Sequence, residues 1–244
     1  MDARLSVIDE RLAGIKRIVA VSGCKGGIGK SSVACSLALL LSKANYRVGL
    51  LDLDFFSPAD HIMLGIRNVF PKEEKGLVPA EVAGIRFMSI VYFIEDKPAA
   101  LRGIDVSNAI IELLAITQWH NLDFLIIDMP PGIADATLDV IRLMKRIEFL
   151  LVTTGSKLAL DSVTKLIKML KALNIPILGI IENMRIGKSN AVQESAKALG
   201  INFLGTIEFD YDFEDCIGNA DALMKSKFVK QLSAIMAKHK DLLG

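Results

Sequence analysis

Two lysines and a serine stand among closely spaced glycines near the start of this chain: Gly23-Cys24-Lys25-Gly26-Gly27-Ile28-Gly29-Lys30-Ser31. The spacing fits G-x-x-x-x-G-K-[ST], with Gly23 and Gly29 as framing glycines. That pattern is built for phosphate. Glycines let backbone N–H groups converge on phosphate oxygens. A helix start just beyond adds its positive partial charge. Lys30 is placed to neutralise β- and γ-phosphates, and the Ser31 hydroxyl to ligate Mg²⁺. The stretch expected to touch a nucleotide is Gly26, Gly27, Ile28, Gly29, Lys30, Ser31 and Ser32.

Carboxylates follow where such chemistry needs them. A second apolar run ends Leu50-Leu51-Asp52-Leu53-Asp54. α/β proteins put ligands at the ends of their strands. One acid there can hold Mg²⁺ through water while another positions an attacking water, since phosphoryl transfer asks mainly for positioning and charge neutralisation. The plainer alternative is a strand-ending Asp that caps the next helix. A third run, Leu122-Asp123-Phe124-Leu125-Ile126-Ile127-Asp128, delivers a further carboxylate from a rigid strand in the Walker B manner. Met129-Pro130-Pro131-Gly132 then makes a stiff turn with one permissive position, suited to sensing a γ-phosphate.

The elements that must position these groups alternate along the chain. Strand-like runs fall at 17–22, 47–51, 85–91, 124–127, 147–153, 176–181 and 202–205, with helical patterns at 31–43, 106–117, 136–144, 158–172 and 190–199. Alternation of this kind predicts an α/β fold: a mostly parallel, twisted sheet of about seven strands with helices on both faces. The 244 residues suit one domain spanning 1–244. Leu5, Ile8 and Leu12 predict a short amphipathic helix within an extension at 1–16. Residues 70–83, with Pro71 and Pro79, read as a surface excursion. The tail at 225–244 reads as a closing helix with Phe228, Val229, Leu232, Ile235 and Met236 on one face. Its interleaved lysines also permit a membrane-surface reading.

Composition sets limits. A hydrophobic fraction of 52% without any run long enough to span a bilayer implies buried parallel strands. A formal net charge of +1 gives no general case for nucleic acid. The charged N-terminus is unlike a signal peptide. Three separated cysteines, Cys24, Cys35 and Cys216, predict no disulfide framework and a reducing, cytoplasmic setting. His61, His120 and His239 show no ligand spacing and read as surface or structural residues.

Lys25 gives the loop the form K-G-G-x-G-K-S. This resembles the deviant Walker A loop of the MinD/ParA/Mrp class of ATPases. With Asp52–Pro58, Leu122–Asp135 including the Asp128-Met129-Pro130-Pro131-Gly132 turn, and Glu182-Asn183-Met184, the chain is similar to the Mrp/ApbC/Nbp-type branch linked to iron–sulfur cluster assembly. Further similar segments are Met88-Ser89-Ile90, Arg102-Gly103, Leu151-Val152-Thr153-Thr154 and Ile177-Leu178-Gly179-Ile180-Ile181. The resemblance implies that Lys25 reaches across a dimer interface to the partner's nucleotide. It implies that Lys30 and Ser31 bind phosphate and Mg²⁺, that Asp52 and Asp128 support the metal, that Asp54 orients the hydrolytic water, and that Asn183 contacts adenine.

The chain also departs from that branch. Cluster-carrying members place a Cys-x-x-Cys pair shortly after Asn-Met, and here Arg185-Ile186-Gly187-Lys188-Ser189-Asn190 runs into the next helix. One accessible cysteine per protomer, expected at Cys216, is too few for a four-thiolate site shared by two chains. No bound cluster is therefore expected. The segment Gly205-Thr206-Ile207-Glu208-Phe209-Asp210 also lacks the proline usual there.

The expected function is an ATP-binding, Mg²⁺-dependent, dimeric ATPase acting as a nucleotide switch on a protein client in iron–sulfur or other metal-cofactor assembly. The alternatives are a MinD-like membrane-positioning ATPase, which needs the C-terminal helix to bind lipid, and a ParA-like DNA-segregation ATPase, which needs a basic surface.

Overall fold

The computed structural model describes residues 4–93, 103–133 and 135–240. Helix α1 (Arg4–Ala13) leads into strand β1 (Ile15–Ser22), helix α2 (Lys30–Lys43), β2 (Val48–Asp52) and the short α3 (Asp60–Met63). Four short strands follow: β3 (Lys72–Glu73), β4 (Leu77–Val78), β5 (Ala80–Val82) and β6 (Ile85–Ser89). The rest alternates: α4 (Gly103–Ile116), β7 (Leu122–Asp128), α5 (Asp135–Leu143), β8 (Ile147–Thr153), α6 (Lys157–Ala172), β9 (Ile177–Arg185), α7 (Ala191–Ala198) and β10 (Phe203–Glu208). Helices α8 (Ala220–Lys225) and α9 (Lys227–Lys238) close the described chain.

Eight strands form one sheet in the order β10-β9-β8-β1-β7-β2-β6-β5. All neighbours are parallel except β5 and β6. The expected seven strands are present, and β5 is the eighth. It belongs to the 70–83 stretch, which holds β5 and a separate β3–β4 hairpin rather than irregular chain alone. A three-residue antiparallel edge strand leaves no periodic signal to read.

Apolar runs occupy the centre because both faces of a parallel sheet are covered. On one face Ile18, Ala20, Leu125, Ile127, Phe149 and Leu151 meet α1, α4, α5 and α6. On the other, Val19, Val21, Leu50, Ile126 and Val152 meet α2 and α9. Helix α2 is enclosed nearly all round, with Val33, Ala34, Leu37, Ala38 and Leu41 buried, so its sequence is apolar rather than striped. Ile8 and Leu12 bury α1 as its spacing predicts.

The C-terminal helix begins later than expected. Ser226 interrupts the chain after α8, and its Oγ accepts from the Val229 N–H at 3.1 Å to cap α9. Phe228, Val229, Leu232 and Ile235 are buried against the sheet and α2, so the apolar stripe is already covered. No helix among the described residues is long and apolar enough to cross a membrane. Arg102 and residues 241–244 lie outside the described residues.

Candidate functional site

Chain order places the site. From β1 the chain crosses to β2 on one side, and from β7 it crosses β1 to reach β8 on the other. Connections diverge at the C-terminal ends of these strands, which is where open α/β sheets form a ligand crevice. The 23–29 loop leaves β1 at this point and opens α2 at Lys30. Gly27 (φ 71°) and Gly29 (φ 83°) take left-handed conformations that reverse the backbone over the helix start. Gly26 and Gly27 are exposed, while Ile28 is buried and anchors the loop.

Register brings the acids together. Asp52 stands opposite Asp128 in the β2–β7 ladder, and Val21 stands opposite Asp128 in β1–β7. Both carboxylates therefore emerge at one level beneath the loop. Asp52 is 0% and Asp128 1% exposed. Ser31 Oγ donates to Asp128 Oδ2 at 2.5 Å. Asp52 Oδ1 accepts from the Asp54 N–H at 3.0 Å, and Oδ2 from Ser89 Oγ at 3.3 Å. Burial raises the carboxyls of Asp52 and Asp128 above the ordinary range. For Asp52 the neighbouring Asp128 adds to this, whereas for Asp128 the Ser31 hydroxyl and Lys30 oppose it.

Asp54 is only partly buried, and its Oδ1 accepts from the N–H groups of Phe56 (3.3 Å) and Ser57 (3.1 Å). It thus folds the turn that follows it. Lys30 is buried, and its Nζ donates to the Lys25 carbonyl at 3.3 Å. The Lys25 side chain is exposed. The Pro130-Pro131-Gly132 turn lies beside the loop, with the Gly132 N–H 3.5 Å from the Gly23 carbonyl.

Asn183 lies at the same crevice. Its Nδ2 donates to the Ile28 carbonyl at 2.9 Å, bracing the loop across 155 residues of sequence. Its Oδ1 is buried without a partner. Met184, in a left-handed conformation (φ 54°), turns the chain just beyond it. An open cleft of about 140 Å³ runs from here past Ser32 to Phe209, Tyr211 and Phe213. The 205–210 segment therefore faces the cleft without the expected proline.

Sequence reasoning missed two residues. Ser89 at the end of β6 is buried and donates to Asp52. Asp60, the first residue of α3, is 0% exposed and joins Asp52 and Asp128, with one oxygen from each lying within 4.8 Å of the others. These three form the only converged group of three or more acidic, cysteine or histidine ligands among the described residues. Within it, Asp52 and Asp128 beside the Ser31 hydroxyl fit a hard divalent cation such as Mg²⁺.

The cysteines are dispersed. Cys35 is buried on α2, and Cys216 is partly buried near Asp212. Cys24 is also partly exposed, so Cys216 is not alone in that respect. Burial pushes the Cys24 thiol up to about 11. After β9, the Arg185 guanidinium donates to the carbonyls of Gly187 and Ser189 and to Thr206 Oγ1, which closes the loop into α7 tightly.

The sequence model of a family described as the NUBPL iron-transfer P-loop NTPase matches residues 14–241. The chain belongs to that family. It is 37% identical over 218 residues to an iron-sulfur cluster carrier protein of Aquifex aeolicus, covering 82% of this chain and 60% of that protein. It is 38% identical over 212 residues to an iron-sulfur cluster transfer protein of Dictyostelium discoideum, covering 80% and 66%. The chain thus spans about three fifths to two thirds of the length of these relatives. A solved nucleotide-binding protein of Archaeoglobus fulgidus, in complex with ADP, superposes with a TM-score of 0.78 at 28% identity, covering 93% of this chain and 96% of that one. The Pyrococcus horikoshii septum site-determining protein MinD, solved with Mg-ADP, shares the fold, with a TM-score of 0.70 at 21% identity over 93% and 97% of the two chains. The fold is that of the MinD/ParA P-loop NTPases.

Proposed function

We propose that this chain binds and hydrolyses ATP with Mg²⁺, and that two copies work as a nucleotide switch on a protein client in iron–sulfur or other metal-cofactor assembly. The observation that carries the reading is the Ser31–Asp128 contact at 2.5 Å, which joins the phosphate loop to the acid cluster. The family and the names of its relatives supply the cofactor-assembly context.

Backbone N–H groups of Gly26, Gly27, Ile28, Gly29, Lys30, Ser31 and Ser32 face the phosphates, and Lys30 turns from the Lys25 carbonyl to the β- and γ-oxygens. Ser31, Asp52 and Asp128 hold Mg²⁺, which when bound supplies positive charge to the phosphates. Asp54 orients a water in line with the γ-phosphorus. Water oxygen bonds to the γ-phosphorus as that atom's bond to the β–γ bridging oxygen breaks; ADP leaves with the electron pair, and the water's proton passes to an oxygen of the phosphate released. An Asp54 engaged with water releases the Phe56 and Ser57 N–H groups, so the 54–57 turn changes with nucleotide state. Asn183 Oδ1 offers an acceptor to the adenine amino group, and the Phe209–Tyr211 cleft offers apolar walls for the base.

Lys25 reaches the partner's nucleotide. Exposed Phe56 and Ile133 lie on segments flanking the site, and they give a paired copy or client an apolar surface that moves with the 54–57 turn. With cysteines in three separate places, the chain holds no [4Fe–4S] cluster by itself. The deciding experiment is calorimetry of MgATP binding to wild type and to Lys30→Ala. Wild type binds and Lys30→Ala does not; equal binding removes the phosphate-loop assignment.

A further inference from the structure

The acid cluster is more than the motifs account for. Asp60 comes from a short helix rather than a strand end, and no spacing rule singles it out. Its carboxylate is fully buried, and neither oxygen has a hydrogen-bond partner. Asp128 Oδ1 is likewise buried and unpartnered. By contrast, Asp52 and Asp128 Oδ2 have donors in Asp54 N–H, Ser89 Oγ and Ser31 Oγ. Three oxygens, one from each acid, converge within 4.8 Å, so the unpartnered Asp60 carboxylate faces the cluster. Cys35, one turn beyond Ser31 on α2, closes the site beside Asp60, near enough to perturb its charge but short of hydrogen-bonding geometry.

Charge makes this arrangement unstable as it stands. Lys30 brings one positive charge to bear on Asp128. Three buried carboxylates need more than that, and their open lone pairs supply no donors of their own. Either protons are shared among them or a cation sits there.

We propose that Asp52, Asp60 and Asp128 directly ligate one divalent first-row transition ion, of the Mn²⁺ or Fe²⁺ kind, in the absence of nucleotide. The proposal rests on the metal-holding role given above to Asp52 and Asp128; it adds Asp60 as a ligand and independence from phosphate. Mg²⁺ dehydrates reluctantly and is usually held by one or two carboxylates together with substrate phosphates and waters. Three protein carboxylates in a dry setting exceed that requirement. They suit an ion that gives up water more readily and binds oxygen ligands more tightly along the first-row series.

The test uses Mn²⁺ as the probe and the full chain without nucleotide. Electron paramagnetic resonance of free Mn²⁺ should show one ion taken up per chain. Thermal unfolding should move upward as Mn²⁺ is added. Asp60→Asn keeps shape and volume but lowers ligand charge, and should weaken Mn²⁺ by at least about 10-fold. Unchanged Mn²⁺ affinity in Asp60→Asn overturns the proposal. If Asp60→Asn does not fold, wild type decides alone: no uptake and no thermal shift mean that the acids share protons only. Wild type that binds MgATP but not nucleotide-free Mn²⁺ leaves the nucleotide reading standing and sinks this one. Wild type that takes Mn²⁺ but no MgATP does the reverse.

Discussion

Glycine-to-alanine changes along the phosphate loop should separate what the fold needs from what a ligand needs. Gly26 and Gly29 are both glycines of the K-G-G-x-G-K-S form, yet their surroundings differ. A Cβ at Gly26 meets nothing within 4 Å, and its backbone is not in the left-handed region. Gly26→Ala should therefore cost no stability, and restricting the unfolded chain can add about 0.4–1 kcal/mol. Gly29 has φ 83°, and a Cβ there lies 2.2 Å from Asn183 Nδ2. The left-handed conformation alone costs an alanine roughly 1–2 kcal/mol. The Asn183 amide must also withdraw from the Ile28 carbonyl, which loses a buried hydrogen bond worth about 1 kcal/mol. Gly29→Ala should thus lose about 2–3 kcal/mol in all. The assay is urea unfolding followed by circular dichroism, comparing midpoints at constant slope. Calorimetry of MgATP should then show both variants impaired, Gly29→Ala with its fold weakened and Gly26→Ala with its fold intact. The space above Gly26 is where the proposed phosphates approach the backbone, so a methyl group there excludes ligand and nothing else. Equal destabilisation in both variants would refute the geometric argument. A Gly26→Ala protein that binds MgATP normally would move the phosphates away from that part of the loop.

Asp54→Ala should retain MgATP and lose turnover by on the order of 10²-fold or more, since a water-positioning group is removed; unchanged phosphate release would pass that role to another acid. Lys25→Ala should bind ATP nearly as wild type but fail to gain mass in light scattering with a non-hydrolysable ATP analogue. Loss of ATP binding itself would make Lys25 a ligand of its own chain's nucleotide. Alkylation of Cys24 by iodoacetamide should be slow near neutral pH and should rise about tenfold per pH unit as the medium approaches about 11, because only the thiolate reacts and burial holds the thiol protonated. Rapid, pH-independent labelling of Cys24 by mass spectrometry would contradict that.

How much was legible in advance follows from how local each signal is. Gly23 to Ser31, Asp52, Asp54 and Asp128 announce themselves because strand, turn and reactive side chain are contiguous in sequence. Their mutual register is not written there; it follows once β2 and β7 pair with Asp52 opposite Asp128. Asp60 was missed because α3 is four residues long and carries no periodicity, and its burial depends on chain segments far away in sequence. Ser89 was readable only as a similar segment, since a serine ending a strand is usually a turn residue. Strand β9 runs to Arg185 rather than 181 because β10 continues beside it, with Glu208 opposite Arg185. The break at Ser226 was available to sequence reasoning, since a serine between two lysine-bearing helical runs is a helix start.

The side chains of the phosphate loop and its neighbouring acids rest on partners within the chain. Lys30 rests on the Lys25 carbonyl, Ser31 on Asp128, Asn183 on the Ile28 carbonyl, and Asp54 on two N–H groups of its own turn. Each such contact is worth about 1 kcal/mol net, somewhat more where a charge takes part. Binding a phosphate and a metal is then an exchange of partners, and its net gain is a difference rather than a sum. That difference carries a consequence for coupling. When Lys30 turns to phosphate, the Lys25 carbonyl loses that donor, so the backbone of the residue proposed to reach a partner chain responds to its own chain's nucleotide. When Asp54 Oδ1 turns to water, the Phe56 and Ser57 N–H groups lose their acceptor, so the backbone of the 54–57 turn responds to the same event. On the proposed reading, two segments on either side of the nucleotide respond to it through local hydrogen bonds, and neither needs a long-range path to do so. On that reading the switch is weak per contact and depends on several exchanges occurring together, so the protein commits to a partner only when the triphosphate is complete.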